Sequence, residues 1–285
     1  MHILAKITCS LIVFSALLAS CNLEQEVDIE LPAYNDRPVV EFYLEPGQPF
    51  RALITRSDAY FDDLPSLENF PGGLLLEGAE VEVSYGGNTV RLNNQLFFNP
   101  QTGKLYNYIA EAIVPDQTGE EFELLITYPN GTVTTAQTTL LPKVQIDSVV
   151  VEYPDDLTDT LARALTYFTD PAETSNFYRR TLHLNTLDSL PEQDFIADDG
   201  IVDDNLVVFG TGFDFEEGDT LINTLYHISE EYATFLESID AAAAANGNPF
   251  GQPSPIISNL QGNANAIGIF TGLVYDRRFD IVEGR

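Results

Sequence analysis

The side chains of this chain best suited to chemistry are carboxylates, and their densest group is Asp198-Asp199-Gly200-Ile201-Val202-Asp203-Asp204-Asn205. Asp198, Asp199, Asp203 and Asp204 around a glycine turn offer hard oxygen donors, and a Ca²⁺ ion takes roughly six to eight of these. The segment Asp214–Asp219 (DFEEGD) could add ligands from a neighbouring loop. The spacing departs from the EF-hand loop, which closes on a Glu this segment lacks. A solvated acidic loop accounts for the same residues, so both readings stand. The 44 acids also admit a glycosidase pair by chance alone. Such a pair needs about 5–9.5 Å between carboxyl groups and one raised pKa. His183 and His227 lie in separate apolar, strand-like segments where a structural role suffices for each. There is no His-Glu-x-x-His and no Gly-x-Ser-x-Gly. Gly210-Thr211-Gly212 is too short to cradle a phosphate and opens no helix. The chain therefore reads as a non-enzyme with no catalytic residue, a surface hydrolase with paired carboxylates being the remaining enzymatic alternative. No cofactor is expected beyond a structural Ca²⁺.

Cysteine chemistry is confined to the amino-terminal end. Cys9 and Cys21 are the only thiols, so the rest of the chain holds no disulfide, Cys nucleophile or Cys-based metal site. Lys6, an apolar run from Leu11 to Ala19 and then Leu18-Ala19-Ser20-Cys21 read as a secretory signal over residues 1–20. The last four residues resemble the lipobox of bacterial lipoproteins. That resemblance implies cleavage before Cys21 and acyl chains on its amino-terminal Cys. Residues 21–37 are then an acidic tether. Glu24, Glu26 and Asp28 resemble the signal that sends lipoproteins of Bacteroidetes-type bacteria to the exterior face of the outer membrane. A net charge of −31, with 13 Lys+Arg, repels nucleic-acid phosphates and excludes that class of partner.

The elements that would carry a site are mostly strands. Val39–Leu44 and Phe50–Arg56 flank Glu45-Pro46-Gly47-Gln48 as a hairpin. Val81, Val83 and Tyr85 alternate with polar residues, and Gly86-Gly87-Asn88 turns the chain into Thr89–Leu92. Phe122–Tyr128 and Thr132–Thr138 flank Pro129-Asn130-Gly131, whose Asn-Gly supplies the positive φ of a hairpin turn. Short strands with regular turns predict an immunoglobulin-like β-sandwich over residues 38–142. Residues 143–285 predict a second β-rich domain with one amphipathic helix near 229–246, capped by Ser229 and carrying Tyr232, Phe235, Leu236, Ile239 and Ala243 on one stripe. Gly268 and Gly272 fall inside the last strand, which marks a bulge or a close backbone approach. Tyr60, Phe61 and Phe70 in one loop and Phe250 in another are candidate ligand or partner contacts if exposed, and core if not.

Leu44-Glu45-Pro46-Gly47, Ile146-Asp147-Ser148-Val149, Phe168-Thr169-Asp170-Pro171 with Asn176-Phe177-Tyr178, Asn248-Pro249-Phe250, Ser258-Asn259 and Gly268-Ile269-Phe270-Thr271-Gly272 recur as a set. With them the chain resembles a Bacteroidetes outer-membrane lipoprotein family, domain of unknown function 4249. The resemblance covers nearly all of the chain after the signal and brings no catalytic residues. It implies a lipoprotein at the outer membrane beside a TonB-dependent transporter. The expected function is thus a non-enzymatic binding or accessory component acting with that transporter, the alternative being an adhesion or envelope-assembly module.

Overall fold

Turn chemistry lays out the first half strand by strand in a computed structural model, which describes residues 36–57, 73–156, 158–171, 175–201, 205–246 and 254–285. β1 (Pro38–Leu44) and β2 (Pro49–Arg56) form a hairpin around Gly47, whose φ of +79° few L-residues adopt. β3 (Glu80–Tyr85) returns as β4 (Asn88–Asn99) through Gly86-Gly87. β5 (Lys104–Ile113) pairs with both β4 and β2. β6 (Glu121–Thr127) and β7 (Val133–Thr139) meet across the expected Asn130-Gly131 turn. Their inward residues, among them Val40, Phe42, Phe50, Val83, Phe122 and Leu124, form the largest core.

The chain continues through β8 (Ile146–Glu152), β9 (Arg163–Thr169), β10 (Phe177–Leu184), β11 (Gln193–Asp198), β12 (Leu206–Gly210) and β13 (Thr220–Ile228). Helix α1 (Glu230–Asn246), β14 (Ile267–Gly272) and β15 (Val274–Ile281) complete it. β12-β9-β8 and β11-β10-β13-β15 are two separate sheets. They stack face to face: Ile146, Phe168 and Val207 of one pack against Tyr178 and Leu225 of the other. Ser229 caps α1 by accepting from the Tyr232 amide at 3.2 Å. The helix sets Tyr232, Ala233 and Phe235 into a cluster with Ile228, Ile269 and Leu273, whereas Ile239, expected on the same stripe, is exposed.

The structure is mainly β with one helix, and the sandwich expected at 38–142 is corrected to a nearly closed eight-stranded barrel. Two features close it. Residues 88–92 of β4 pair with β3, and residues 93–99 pair with β5 with a register irregularity between Asn94 and Phe97, so one strand serves both faces. β14 comes from the far end of the sequence, pairs in parallel with β1 and lies beside β7. Gly272 N there donates to Thr138 Oγ1 at 3.3 Å. The two layered sheets lie instead in the second half. The chain leaves the barrel after β7 and returns to it as β14, so both halves of the sequence share one sheet.

The glycines of β14 are needed for that return. Gly268 has φ +129°, and a Cβ there would collide with the Val40 carbonyl. A Cβ on Gly272 would lie 2.9 Å from the Thr139 carbonyl. Asn259 then serves the outer edge of β14 as a strand would, donating to the Phe270 carbonyl (2.7 Å) and accepting from the Phe270 amide (3.1 Å). Ser258 donates to the Gly268 carbonyl at 2.7 Å. These segments of the family resemblance thus position a strand.

Candidate functional site

Of the residues singled out for chemistry, Cys21, Tyr60, Phe61, Phe70, Phe250, Asp203 and Asp204 lie outside the described residues. Asp198 and Asp199 are described, and their oxygens are spent locally. Asp198 accepts from the Gly200 amide at 2.9 Å, fixing the 3₁₀ turn Asp199–Ile201. Asp199 accepts from the Asn176 amide at 2.7 Å, tying that turn to the start of β10. Asp219 likewise closes its own turn by accepting from Glu216 N at 2.9 Å. Among the described residues, no three His, Cys, Asp or Glu side chains are placed to hold a metal ion.

His227 belongs to a buried polar network between the stacked sheets. Its Nδ1 faces the Pro142 carbonyl at 2.8 Å, and its Nε2 faces Asn176 Oδ1 at 3.1 Å. Asn176 Nδ2 donates to Asp170 at 3.1 Å, and the Tyr178 hydroxyl donates a short bond to the same carboxylate. The Tyr178 ring stacks on His227 at 5.4 Å. Burial and the adjacent Asp170 push the Tyr178 hydroxyl far above its ordinary pKa, so it remains a donor. Asp170, Asn176 and Tyr178 are thus the internal fastening of the sandwich, joined through His227 to the Pro142 carbonyl.

The opposite face of the same four-stranded sheet opens into a cleft of about 600 Å³. Register places Tyr275, Tyr226 and Arg179 in one row across β15, β13 and β10, with Arg277, Thr224 and Thr181 in the next and His183 beyond. The barrel supplies the facing wall through Tyr43, Arg51, Lys104 and Tyr106, and α1 closes one end with Tyr232 and Leu236. The β4–β5 turn approaches the loop 187–191, where Gly103 lies against the Asp188 carbonyl.

Four of the chain's 13 Lys and Arg residues line this cleft. Each lies over a tyrosine ring: Arg51 over Tyr106 at 4.9 Å, Lys104 over Tyr43 at 5.4 Å, Arg179 over Tyr226 at 5.8 Å and Arg277 over Tyr275 at 4.7 Å. Two are neutralised. Arg51 pairs with Glu45 at 3.4 Å. Arg179 donates from Nε to Asp194 at 2.7 Å and from Nη2 to its second oxygen, and from Nη1 to Tyr232 OH at 2.9 Å. Desolvation opposes the charge on Arg179, but the forked carboxylate outweighs it and holds the pKa above its ordinary value. Lys104 and Arg277 have no ion-pair partner among the described residues; Arg277 Nε donates to Thr224 Oγ1 at 2.8 Å, and its guanidinium also meets the Tyr226 hydroxyl. Lys104 keeps solvent access between the cleft walls, yet desolvation lowers its pKa.

His183, treated in the sequence as an isolated strand residue, faces this cleft. Its Nδ1 is buried without a hydrogen-bond partner. Desolvation first, and then the charge of Arg277, lower its pKa below 6.5, with Arg179 and Lys104 acting in the same direction and Asp194 against them. Nothing in the local pattern around any one of these residues marks the cleft. The signal that could have found it is scarcity, since in so acidic a chain each cation has many acids to choose from and an unpaired one is informative.

Barrel, stacked sheets and one helix define a mainly β protein whose described polar clusters are structural except along one cation- and tyrosine-lined cleft. The chain belongs to the family described as Domain of unknown function (DUF4249), which it matches over residues 24–278. No curated protein matches it.

Proposed function

We propose that this chain is a non-enzymatic, lipid-anchored binding component of the bacterial outer membrane, facing the cell exterior and acting with a TonB-dependent transporter. The cleft between barrel and sandwich is its ligand site. The observation that carries this reading is the gathering of Arg51, Lys104, Arg179 and Arg277 with tyrosines in a chain of net charge −31. A volume near 600 Å³ lies within the range of about 300–1,000 Å³ that small-molecule sites occupy. No helix among the described residues is long and apolar enough to cross a membrane. Membrane attachment in this reading rests on acyl chains at Cys21, with residues 22–37 as the tether.

Fractionation of cells carrying the full chain and its Cys21→Ser variant tests the anchor, and affinity purification after gentle solubilisation tests the partnership. The wild-type chain is expected in the outer-membrane fraction with a co-purifying barrel protein, and the variant in the soluble fraction. An unchanged membrane fraction for Cys21→Ser removes the anchor. Purification of the chain without any barrel protein removes the transporter.

A further inference from the structure

We infer that the cleft takes an acidic saccharide of a few sugar units, its carboxylate or sulfate held by Lys104 and Arg277 and its hydroxyls by the polar floor around His183. This rests on the reading of the cleft as a ligand site and adds the chemistry of the ligand.

The anionic half of the inference follows from charge accounting. Glu45 pairs with Arg51 and Asp194 with Arg179; Asp188 accepts from the neighbouring Thr186 hydroxyl, and Glu41, whose charge also acts on Lys104, stands outside ion-pair distance of it. Lys104 and Arg277 make no ion pair among the described residues, stand on opposite walls, and the charges of both reach the His183 ring. Unpaired cations in a partly desolvated site are costly, and a carboxylate or sulfate supplies the charge-assisted hydrogen bonds they lack. Arg277 gives Nε to Thr224 and also meets the Tyr226 hydroxyl, which leaves part of its five-donor guanidinium for a ligand.

The saccharide half follows from the neutral polar atoms. Buried side-chain atoms without partners are rare in folded proteins and call for an explanation. His183 Nδ1 and Thr102 Oγ1 are two such atoms, and both line the cleft. Thr181 Oγ1 is a third: it lies near the Tyr226 hydroxyl but outside hydrogen-bond geometry. A ligand rich in hydroxyls satisfies all three. A flat apolar acid would leave them unmatched at a cost of about 1–3 kcal/mol each. The tyrosines of the cleft complete the match with hydroxyl groups that can donate to or accept from those of a sugar.

The test is calorimetric titration of the full detergent-solubilised lipoprotein with three probes: a uronic-acid disaccharide, a sulfated disaccharide and a neutral disaccharide. At least one acidic probe is expected to bind, at least tenfold more tightly than the neutral one, and to weaken as salt is raised. Its relative affinity for the two acidic probes distinguishes carboxylate from sulfate. Lys104→Gln and Arg277→Gln are each expected to weaken acidic binding at least tenfold, and Thr181→Val to weaken all binding. Lys104 sits at an exposed hairpin end, so its substitution leaves folding intact, and thermal melting checks the other two variants. Equal affinity for neutral and acidic probes overturns the anionic assignment while leaving the cleft a binding site. Acidic binding that survives the Lys104 and Arg277 substitutions places the ligand elsewhere and overturns both. Failure of all three probes at millimolar concentration overturns the saccharide assignment alone.

Discussion

Arg179 and Arg180 are neighbours in the chain and face opposite sides of the same sheet. Arg180 points into the sandwich, is 1% exposed and has no ion-pair partner among the described residues. Its guanidinium donates to Asn223 Oδ1 through Nε (3.1 Å) and Nη2 (2.9 Å) and to Gln193 Oε1 through Nη1 (2.8 Å). Desolvation pulls its pKa down to about 10, still charged at neutral pH. Arg179 points into the cleft, where a carboxylate holds its charge. One face thus carries a cation fixed by neutral amides and sealed from water, and the other carries cations that water or a ligand can reach. The lesson is that charge alone does not mark a site in this protein. Both faces leave a buried polar atom without a partner, Asn223 Nδ2 on the inner one and His183 Nδ1 on the open one, so what separates them is that a ligand can reach the open face's cations.

The comparison breaks most severely if the buried network is cut. Asp170→Ala leaves the Tyr178 hydroxyl and Asn176 Nδ2 without their shared acceptor inside the sandwich. Asn176 Nδ2 keeps the Pro171 carbonyl at 3.1 Å, whereas the Tyr178 hydroxyl is stranded at about 1–3 kcal/mol and the removed side chain adds a cavity, so a loss of about 3 kcal/mol is expected in chemical denaturation. Loss below 1 kcal/mol would mean that the network fastens nothing. Arg180 gives a sharper contrast. Arg180→Ala removes a long buried side chain and should cost about 2–4 kcal/mol through the cavity. Arg180→Met keeps much of the volume and removes the desolvated charge, so it should be within about 1 kcal/mol of wild type. If Met is as damaging as Ala, the guanidinium bonds rather than the packing hold that layer.

How much of this was legible beforehand follows the same division between local and distant. Turns at Gly47, Gly86-Gly87 and Asn130-Gly131 announce themselves because positive φ is a property of a few residues. So do the Ser229-capped helix and the close approach at Gly268 and Gly272. The β4–β5 hairpin does not. Residues 93–99 of β4 are exposed on nearly all sides, and Tyr106, Asn107 and Tyr108 of β5 are all buried, so neither stretch alternates. Asn107 explains part of this: it is polar yet buried, matching the Ile54 backbone with 2.8 and 2.9 Å bonds. That unread hairpin carries Lys104 and Tyr106, and the rest of the cleft comes from β1, β2, β10, β11, β13, β15, α1 and the loop 187–191, brought together only by the tertiary fold. The barrel was read as a sandwich for a related reason: its closing strand lies far from the others in sequence and pairs in parallel.

The open face should respond weakly in stability. Arg179→Met frees Asp194, but the pair is partly solvated, with side chains 22% and 39% exposed. A loss within about 1 kcal/mol is expected, against the larger cost of Arg180→Ala. The smallest effect is that of pH. The His183 pKa in the folded chain lies below 6.5, so the unfolded chain takes up the proton first as acidity rises. Its contribution is therefore fully present above pH 6.5 and lost as pH falls through the unfolded value toward the folded one. Arg277, Arg179 and Lys104 face the ring and drive the shift with desolvation, and Asp194 opposes it. His183→Gln should flatten that part of the stability profile, read as urea midpoints between pH 7 and 5, while leaving the midpoint at pH 7 nearly unchanged. An acidic ligand reverses the sign by offsetting those cations and accepting a bond from the ring, so it should raise the His183 pKa and restore stability in the same window. A profile indifferent to His183→Gln would mean that the ring is solvated, and the distinction between the two faces of the sheet would no longer extend to it.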